Sequence, residues 1–137
     1  QLKSKLINYA AKINFKHELE FYPKLPQSEI IKLLDESNVL ISASEYESFG
    51  LTIIEANARG LPVVCSRSGG PQNIVTQETG RLFDVDDLDG FVRVLIEVRN
   101  KYNNFDKTVI RAYAENNFSE NVYANNLLKE IKETLEK

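Results

Sequence analysis

The sequence predicts an α/β fold in which a parallel β-sheet is flanked by helices. Two short apolar runs rich in β-branched residues, 39–41 and 62–65, lie on either side of a segment with helical spacing of its apolar residues. A strand, a helix and a second strand of these lengths form a right-handed parallel crossover. Helical and strand-like segments alternate around this unit, and the last third is helical. This order is typical of a Rossmann-like doubly wound sheet with a helical C-terminal tail.

Before this unit, the sequence predicts two helices and one strand. Apolar residues recur at helical spacing over residues 2–13, which predicts an amphipathic helix. Residues 19–22 alternate between apolar and polar, as in a strand. Residues 29–37 form the second predicted helix, with Ser28 as its N-cap.

The central unit contains both apolar runs. Strand 39–41 is expected to be buried on both faces, because it is continuously apolar. A helix is predicted from Gly50, with Leu51, Ile54 and Ala58 on one side. Gly60 occupies the position of a left-handed C-terminal cap, directly before the second strand.

The remaining chain is predicted to contain one edge strand and several helices. After a glycine turn and a short helix from Pro71, residues 81–84 form the strand. A helix begins at 86–87 and ends near Tyr102, and its first turn is rich in acidic residues. Its expected buried side consists of apolar residues at helical spacing: Leu88, Phe91, Val92, Leu95 and Val98. Two further helices are predicted over 106–116 and 119–136.

Composition indicates an ordinary globular domain. The 137 residues, of which 42% are hydrophobic and 27% charged, are enough to bury a core. The net charge is −3 and no basic stripe is present, so we expect no nucleic-acid binding. The single Cys65 cannot form an internal disulfide, which fits a reducing cytoplasm. Because methionine is absent, we interpret the chain as a fragment or a processed chain.

Two glutamates flank the start of the central helix. Glu47 precedes the helix and Glu55 lies within it, so their backbones are roughly 10–12 Å apart along the axis. Between them, the N–H groups of residues 48–51 are predicted to be free at the positive end of the helix dipole, where phosphate binds readily. Gly50 lets a ligand approach the backbone closely. Two carboxylates around an anion site suit a polyol–diphosphate–polyol molecule, such as a nucleotide sugar.

The stretch from Glu47 to Val64, ESFGLTIIEANARGLPVV, resembles the E-x7-E signature of retaining glycosyltransferases with the GT-B fold, glycosyltransferase family 4 or group 1. The similarity continues through Gly69-Gly70, residues 74–75 and 79–83, and ends at the last helix. The resemblance implies that residues 1–137 are the nucleotide-sugar-binding C-terminal domain of such an enzyme.

The resemblance also implies roles for single residues. Glu47 would be catalytic, contacting the transferred sugar and stabilising positive charge near the reaction centre, and Glu55 would bind the ribose hydroxyls. The other donor-binding residues would be those of the loop, the first helical turn and the glycine pair: Ser48, Phe49, Gly50, Leu51, Thr52, Gly69 and Gly70. Phe49, Gly50 and Leu51 would act through their backbone N–H groups.

Several of these roles have alternatives. Thr52 would contact the donor or cap the helix turn, and the sequence favours neither. Gly69 and Gly70 form either a ligand contact or only a tight turn, and their position after a strand favours the ligand. Many relatives carry an acid at the position of Asn73, so the role of this residue stays open. His17 and Cys65 are assigned structural or surface roles.

A complete GT-B donor domain would contain two more strands and a basic pair for the diphosphate. In the sheet, these strands would lie between the predicted strand at 19–22 and the predicted strand at 39–41. The acceptor-binding N-terminal domain is also missing from the sequence. Either the chain is cut from a larger enzyme, or it rearranges its sheet or oligomerises to cover an exposed edge.

The resemblance implies transfer of a sugar from a nucleotide-diphosphate sugar to an acceptor hydroxyl, with retention of configuration, in polysaccharide or glycolipid biosynthesis. The acceptor, a sugar or a lipid-linked molecule, would bind the N-terminal domain, so the isolated chain is expected to be inactive. No cofactor or metal is expected. The enzyme would be cytoplasmic or peripheral to a membrane surface. The alternatives are a non-catalytic nucleotide-sugar-binding module and another GT-B activity of the phosphorylase or epimerase type.

Overall fold

A computed structural model describes residues 2–135, which divide into two compact units between Ile30 and Ile31. The first unit begins with helix α1 (Leu2–Lys12), which confirms the first predicted helix. The apolar side of α1 lines a groove together with Phe15, Leu19 and Phe21. Helix α2 comprises Gln27–Glu36.

Two predictions for this part of the chain are wrong. Residues 19–22 do not form a strand, and no strand of the described sheet pairs with them. Alternation of apolar and polar residues cannot make a strand without a partner for its backbone N–H and C=O groups. Helix α2 also begins before Ser28, because the carbonyl of Pro26 accepts hydrogen bonds from the N–H groups of Glu29 and Ile30.

The second unit contains a parallel three-stranded sheet with the order β1-β2-β3. Its strands are β1 (Leu40–Ser42), β2 (Val63–Ser66) and β3 (Gly80–Phe83). Leu40 lies opposite Val63, and Val63 lies opposite Gly80. The parallel sheet with flanking helices confirms the predicted α/β class. All four residues of the central strand β2 are buried.

The expectation that β1 is buried on both faces is wrong. Ile41 at its centre is 44% exposed. The reason is the strand order, since β1 is an edge strand in this sheet and β2 is its one strand neighbour. An apolar run indicates a strand, but it does not distinguish a central position from an edge. The other edge is β3, as predicted.

Helices complete the second unit in chain order: α3 (Leu51–Ala58), α4 (Pro71–Ile74), α5 (Leu88–Asn100), α6 (Lys107–Phe118) and α7 (Glu120–Leu135), with a 3-10 turn at Tyr102–Asn104. Asp87 and Asp106 cap α5 and α6 by accepting hydrogen bonds from backbone N–H groups of their first turns. The predicted end of the last helix, Glu136, lies outside the described residues.

Helix α5 packs on the sheet with a narrower face than predicted. Val64, Phe83 and Val98 form a buried cluster, and Phe91, Val94 and Leu95 pack against it. Two members of the predicted buried side are exposed, Leu88 by 71% and Val92 by 44%. Leu88 and Val92 are four residues apart and lie to one side of the row formed by Phe91, Leu95 and Val98. The sheet therefore covers only part of the predicted apolar face of α5.

Helix α3 contacts α6, and its buried residues are Ile53, Ala56 and Asn57. Leu51 and Ala58, which share the predicted apolar side, are exposed. Gly60 ends the helix as predicted, with a φ of 75°. Its N–H donates to the carbonyl of Asn57 at 2.8 Å. A side chain at Gly60 would lie 2.7 Å from the carbonyl oxygen of Lys107, so this cap also permits close packing of α3 and α6.

Candidate functional site

The backbone of Glu47 links the loops that follow β1 and β2. Its N–H donates to the carbonyl of Ser68 at 3.0 Å, and its carbonyl accepts from the N–H of Gly70 at 2.7 Å. Glu47 and Gly69 thereby form a parallel bridge beyond the ends of the two strands. Because both loops emerge from neighbouring parallel strands, they meet at the carboxyl edge of the sheet, where α/β proteins bind ligands.

The carboxylate of Glu47 lies at the N-terminal end of α3. Its Oε1 accepts hydrogen bonds from the N–H groups of Phe49, at 3.2 Å, and Gly50, at 3.0 Å. The prediction that these two amides are free is therefore wrong. The positive end of a helix dipole attracts a carboxylate that is only a few residues away. The N–H groups of Leu51 and Thr52 are the first two of the helix, and such groups have no acceptor within it.

Gly50 is required by backbone geometry and packing. It is the N-cap of α3, with a φ of 95°. A Cβ atom at this position would lie 3.0 Å from Cδ1 of Ile74 and 3.2 Å from Cδ1 of Ile53. Gly50 was interpreted as a position that a ligand can approach closely, and these contacts supply a second reason for glycine within the chain itself.

The glycine pair also packs closely against the Glu47 loop. Gly69 has a φ of 118°, and a Cβ there would lie 2.9 Å from the carbonyl oxygen of Glu47. A Cβ at Gly70 would lie 2.4 Å from the carbonyl oxygen of Phe49. The side chain of Gln72 holds this turn by accepting from the N–H of Gly69 at 3.0 Å. Packing alone requires glycine at both positions, and a contact with a ligand stays a prediction.

The other predicted residues lie around the first turns of α3. Ser48, Phe49, Leu51 and Thr52 are exposed, and Glu55 is half-buried in the second turn. Asn73 lies in α4, beside the glycine turn, and is exposed. Of the predicted site residues, Gly69 and Gly70 contact the backbone of Glu47, and Gly70 also packs against the backbone of Phe49.

A cavity of about 410 Å³ lies at the carboxyl ends of the strands. The residues around it come from all three strand ends and the start of α5, and they include Ser44, Glu45, Ser66, Asp86 and Asp87. Glu47 and Glu55 are not among the residues that line this cavity. The cavity is therefore a neighbouring feature of the same sheet edge.

A group of serine hydroxyls lies beneath the Glu47 loop, and it was missed in the sequence. The hydroxyl of Ser66 donates to the carbonyl of Ser44 at 2.6 Å, and Ser66 is 2% exposed. Its Oγ lies 3.3 Å from that of Ser68. The available signal was the repeated spacing of serines at the strand ends. Ser42 ends β1 and Ser44 follows it, and Ser66 and Ser68 are placed in the same way at the end of β2.

The remaining candidate groups show no catalytic arrangement. Burial raises the pKa of Cys65 to about 12, so its thiol stays protonated at neutral pH and is a poor nucleophile. His17 contacts the ring of Phe15 edge-on, within the first unit. Within residues 2–135, no three histidine, cysteine or acidic side chains are grouped as metal ligands. None of the helices described in that range is both long and apolar enough to cross a bilayer.

Residues 1–121 match the family described as Glycosyl transferases group 1, and the chain belongs to this family. It is 37% identical over 79 residues to D-inositol 3-phosphate glycosyltransferase of Corynebacterium diphtheriae, which covers 57% of this chain and 18% of that protein. It is 27% identical over 130 residues to GDP-Man:Man(3)GlcNAc(2)-PP-Dol alpha-1,2-mannosyltransferase of Dictyostelium discoideum, which covers 93% of this chain and 25% of that protein.

Solved structures share the fold. Sucrose-phosphate synthase from Thermosynechococcus elongatus superposes with a TM-score of 0.80 at 21% identity, over 96% of this chain and 34% of that one. Anabaena Alr3699/HepE in complex with UDP superposes with a TM-score of 0.76 at 21% identity, over 97% of this chain and 36% of that one. These likenesses confirm the Rossmann-like GT-B architecture, and the chain spans about a third of the length of these structures.

Proposed function

We propose that this chain binds the donor in a retaining glycosyltransferase, which transfers a hexose from a nucleotide-diphosphate sugar to an acceptor hydroxyl. The observation that carries this proposal is the position of Glu47. In a chain of the group 1 family, its carboxylate is fixed at the N-terminal amides of α3, eight residues before a second carboxylate on the same helix.

The two glutamates serve opposite ends of the donor. Glu47 contacts the hydroxyls of the transferred sugar and stabilises the positive charge that develops near its anomeric carbon. Glu55 accepts hydrogen bonds from the ribose hydroxyls. Both roles suit ionised carboxylates, which accept hydrogen bonds from hydroxyl groups.

The amides at the start of α3 act between these ends. The N–H groups of Leu51 and Thr52 point out of the helix start and carry its positive dipole end. They stabilise the negative charge of the diphosphate leaving group, so the reaction needs no metal ion at this site. The N–H groups of Phe49 and Gly50 donate to the Glu47 carboxylate, so they act on the transferred sugar by holding that carboxylate in place.

Ser48 and the glycine turn complete the donor site. Gly69 and Gly70 lie against the backbone of Glu47 and Phe49, so a donor bound at Glu47 also lies near this turn. The similar fold of Alr3699/HepE, solved in complex with UDP and with UDP-glucose, supports a nucleotide sugar as the ligand.

The acceptor binds a separate domain of the full enzyme, with the active site in the cleft between the two domains. The acceptor is a sugar or a lipid-linked molecule of polysaccharide or glycolipid biosynthesis. The reaction takes place in the cytoplasm, with the enzyme free or held at a membrane surface. The curated relatives that transfer sugars support the reaction class.

The test is product analysis. The full enzyme that contains this chain is incubated with UDP-, GDP- and ADP-sugars and a panel of sugar acceptors, and the products are examined by NMR. We expect transfer with retention of the anomeric configuration, and little turnover by the 137-residue chain alone. Inverted products, phosphorolysis, epimerisation or robust turnover by the isolated chain would contradict the corresponding part of the proposal. Nucleotide-sugar binding without turnover of any kind would favour a non-catalytic binding module.

A further inference from the structure

We propose that Ser66 is a positioning residue that holds the Glu47 loop, and with it the Glu47 carboxylate, in the geometry needed for sugar transfer. This inference rests on the proposed function of Glu47 as the residue that contacts the transferred sugar. Ser66 is 2% exposed and its hydroxyl already donates to the carbonyl of Ser44, so we assign it an action through the loop rather than on the donor.

The hydroxyl of Ser66 joins the ends of two strands. Ser66 is the last residue of β2, and its hydroxyl donates to the carbonyl of Ser44 at 2.6 Å. Ser44 lies in the β1–α3 loop, three residues before Glu47. The pairing of β1 with β2 ends at Ser42 and Cys65. The hydrogen bond from Ser66 to Ser44 therefore connects the two segments just beyond the last paired residues.

The backbone of Glu47 is held by the segment that follows β2. The carbonyl of Ser68, two residues after Ser66, accepts from the N–H of Glu47 at 3.0 Å, and the N–H of Gly70 donates back at 2.7 Å. The Oγ atoms of Ser66 and Ser68 are 3.3 Å apart. Ser66 therefore contacts both the segment that enters the Glu47 loop and the segment on which that loop rests.

Loss of this hydroxyl acts on the carboxylate through the backbone. Without it, the carbonyl of Ser44 loses a short hydrogen bond, and of the contacts that join this loop to the segment after β2, the two backbone hydrogen bonds of Glu47 with Ser68 and Gly70 remain. The two hydrogen bonds from the amides of Phe49 and Gly50 to Glu47 depend on the loop position, because Glu47 reaches them over only two and three residues. Displacements of about 1 Å at a reacting group cost up to about 100-fold in rate.

The first test measures amide hydrogen exchange in the 137-residue chain by NMR. Ser66→Ala should accelerate exchange at Phe49 and Gly50 by about tenfold, because the carboxylate no longer holds these N–H groups in place. Ser37→Ala is the matched control, since the hydroxyl of Ser37 also donates to a backbone carbonyl, that of Leu33, at 2.6 Å. The control should leave exchange at both amides unchanged. Equal exchange in the Ser66→Ala chain and the unsubstituted chain would overturn the proposal.

The second test uses the full enzyme. Ser66→Ala should lower kcat by about tenfold with a donor KM within about twofold, whereas Ser37→Ala should leave both constants unchanged. A merely structural role would lower thermal stability without changing kcat per folded molecule, and that result would overturn the inference. If Ser66→Ala does not fold, the same measurements are made on Ser66→Cys, which keeps a side chain of similar size with a weaker donor. The same changes in exchange and kcat are expected for it. A folded Ser66→Cys protein with unchanged exchange and kcat would overturn the inference.

The two tests separate this inference from the proposed function. If the unsubstituted enzyme transfers no sugar but Ser66→Ala accelerates exchange at Phe49 and Gly50, the proposed function fails and the link from Ser66 to Glu47 stands. If the enzyme transfers sugar but exchange and kcat are unaffected, the inference about Ser66 fails alone.

Discussion

Glu47→Ala in the full enzyme is expected to lower kcat for sugar transfer by about 100- to 1,000-fold. In the proposed site, the substitution removes a carboxylate beside the reaction centre. It also releases the amides of Phe49 and Gly50, which that carboxylate holds at 3.2 and 3.0 Å. Binding of the nucleoside diphosphate alone should change little, because we propose that the diphosphate contacts the helix start and that the ribose contacts Glu55. Steady-state kinetics with the accepted donor measure the effect.

Two further variants give this result a precise meaning. Glu47→Gln keeps an oxygen that accepts from both amides but removes the charge. Its kcat should therefore be close to that of Glu47→Ala if charge is the important property. Glu78→Ala is the control, because Glu78 is an exposed glutamate in the turn before β3. The kcat of the Glu78→Ala enzyme should match that of the unsubstituted enzyme. A Glu47→Ala enzyme that retains about a third of kcat or more would contradict the catalytic role.

Glu55→Ala is expected to weaken binding of nucleoside diphosphates by about 10- to 100-fold. Hydrogen bonds to a charged group contribute about 1.5–3 kcal/mol, and every 1.4 kcal/mol corresponds to a factor of about ten in Kd. Isothermal titration calorimetry of the full enzyme with UDP, GDP and ADP measures the change. At saturating donor, kcat should change little, because the ribose is distant from the reacting bond.

The control for Glu55 is Glu115→Ala, an exposed glutamate on the neighbouring helix α6. This substitution removes the same charge from the same unit and should leave the affinity unaltered. Unaltered affinity in the Glu55→Ala enzyme as well would show that Glu55 does not bind the ribose.

The elements that sequence predicted well are those with strong local signals. Helix α3 and strand β2 meet at Gly60, where a left-handed cap is followed by Pro62 and an apolar run, and the structure has this arrangement. Strand pairing has no such local signal. Residues 19–22 alternate like a strand without a described partner, and Ile41 is apolar but exposed because β1 is at an edge.

The loop and helix that carry the candidate residues were predictable from the sequence, but the contacts among those residues were not. The spacing of Glu47 and Glu55 is visible in the sequence, and the resemblance to the family implies that both contact the donor. That Glu47 itself binds the amides of Phe49 and Gly50 depends on side-chain geometry within the loop. The contact of Ser66 with Ser44 joins residues 22 positions apart, and it follows from strand register rather than from local pattern.

The most direct test of the central claim is the structure of the full enzyme with a bound nucleotide-diphosphate sugar. We expect the carboxylate of Glu55 within about 3 Å of a ribose hydroxyl and that of Glu47 beside the transferred sugar. The diphosphate should lie against the amides at the start of α3. A donor bound elsewhere, with neither carboxylate within hydrogen-bonding distance, would contradict the assignment of this site.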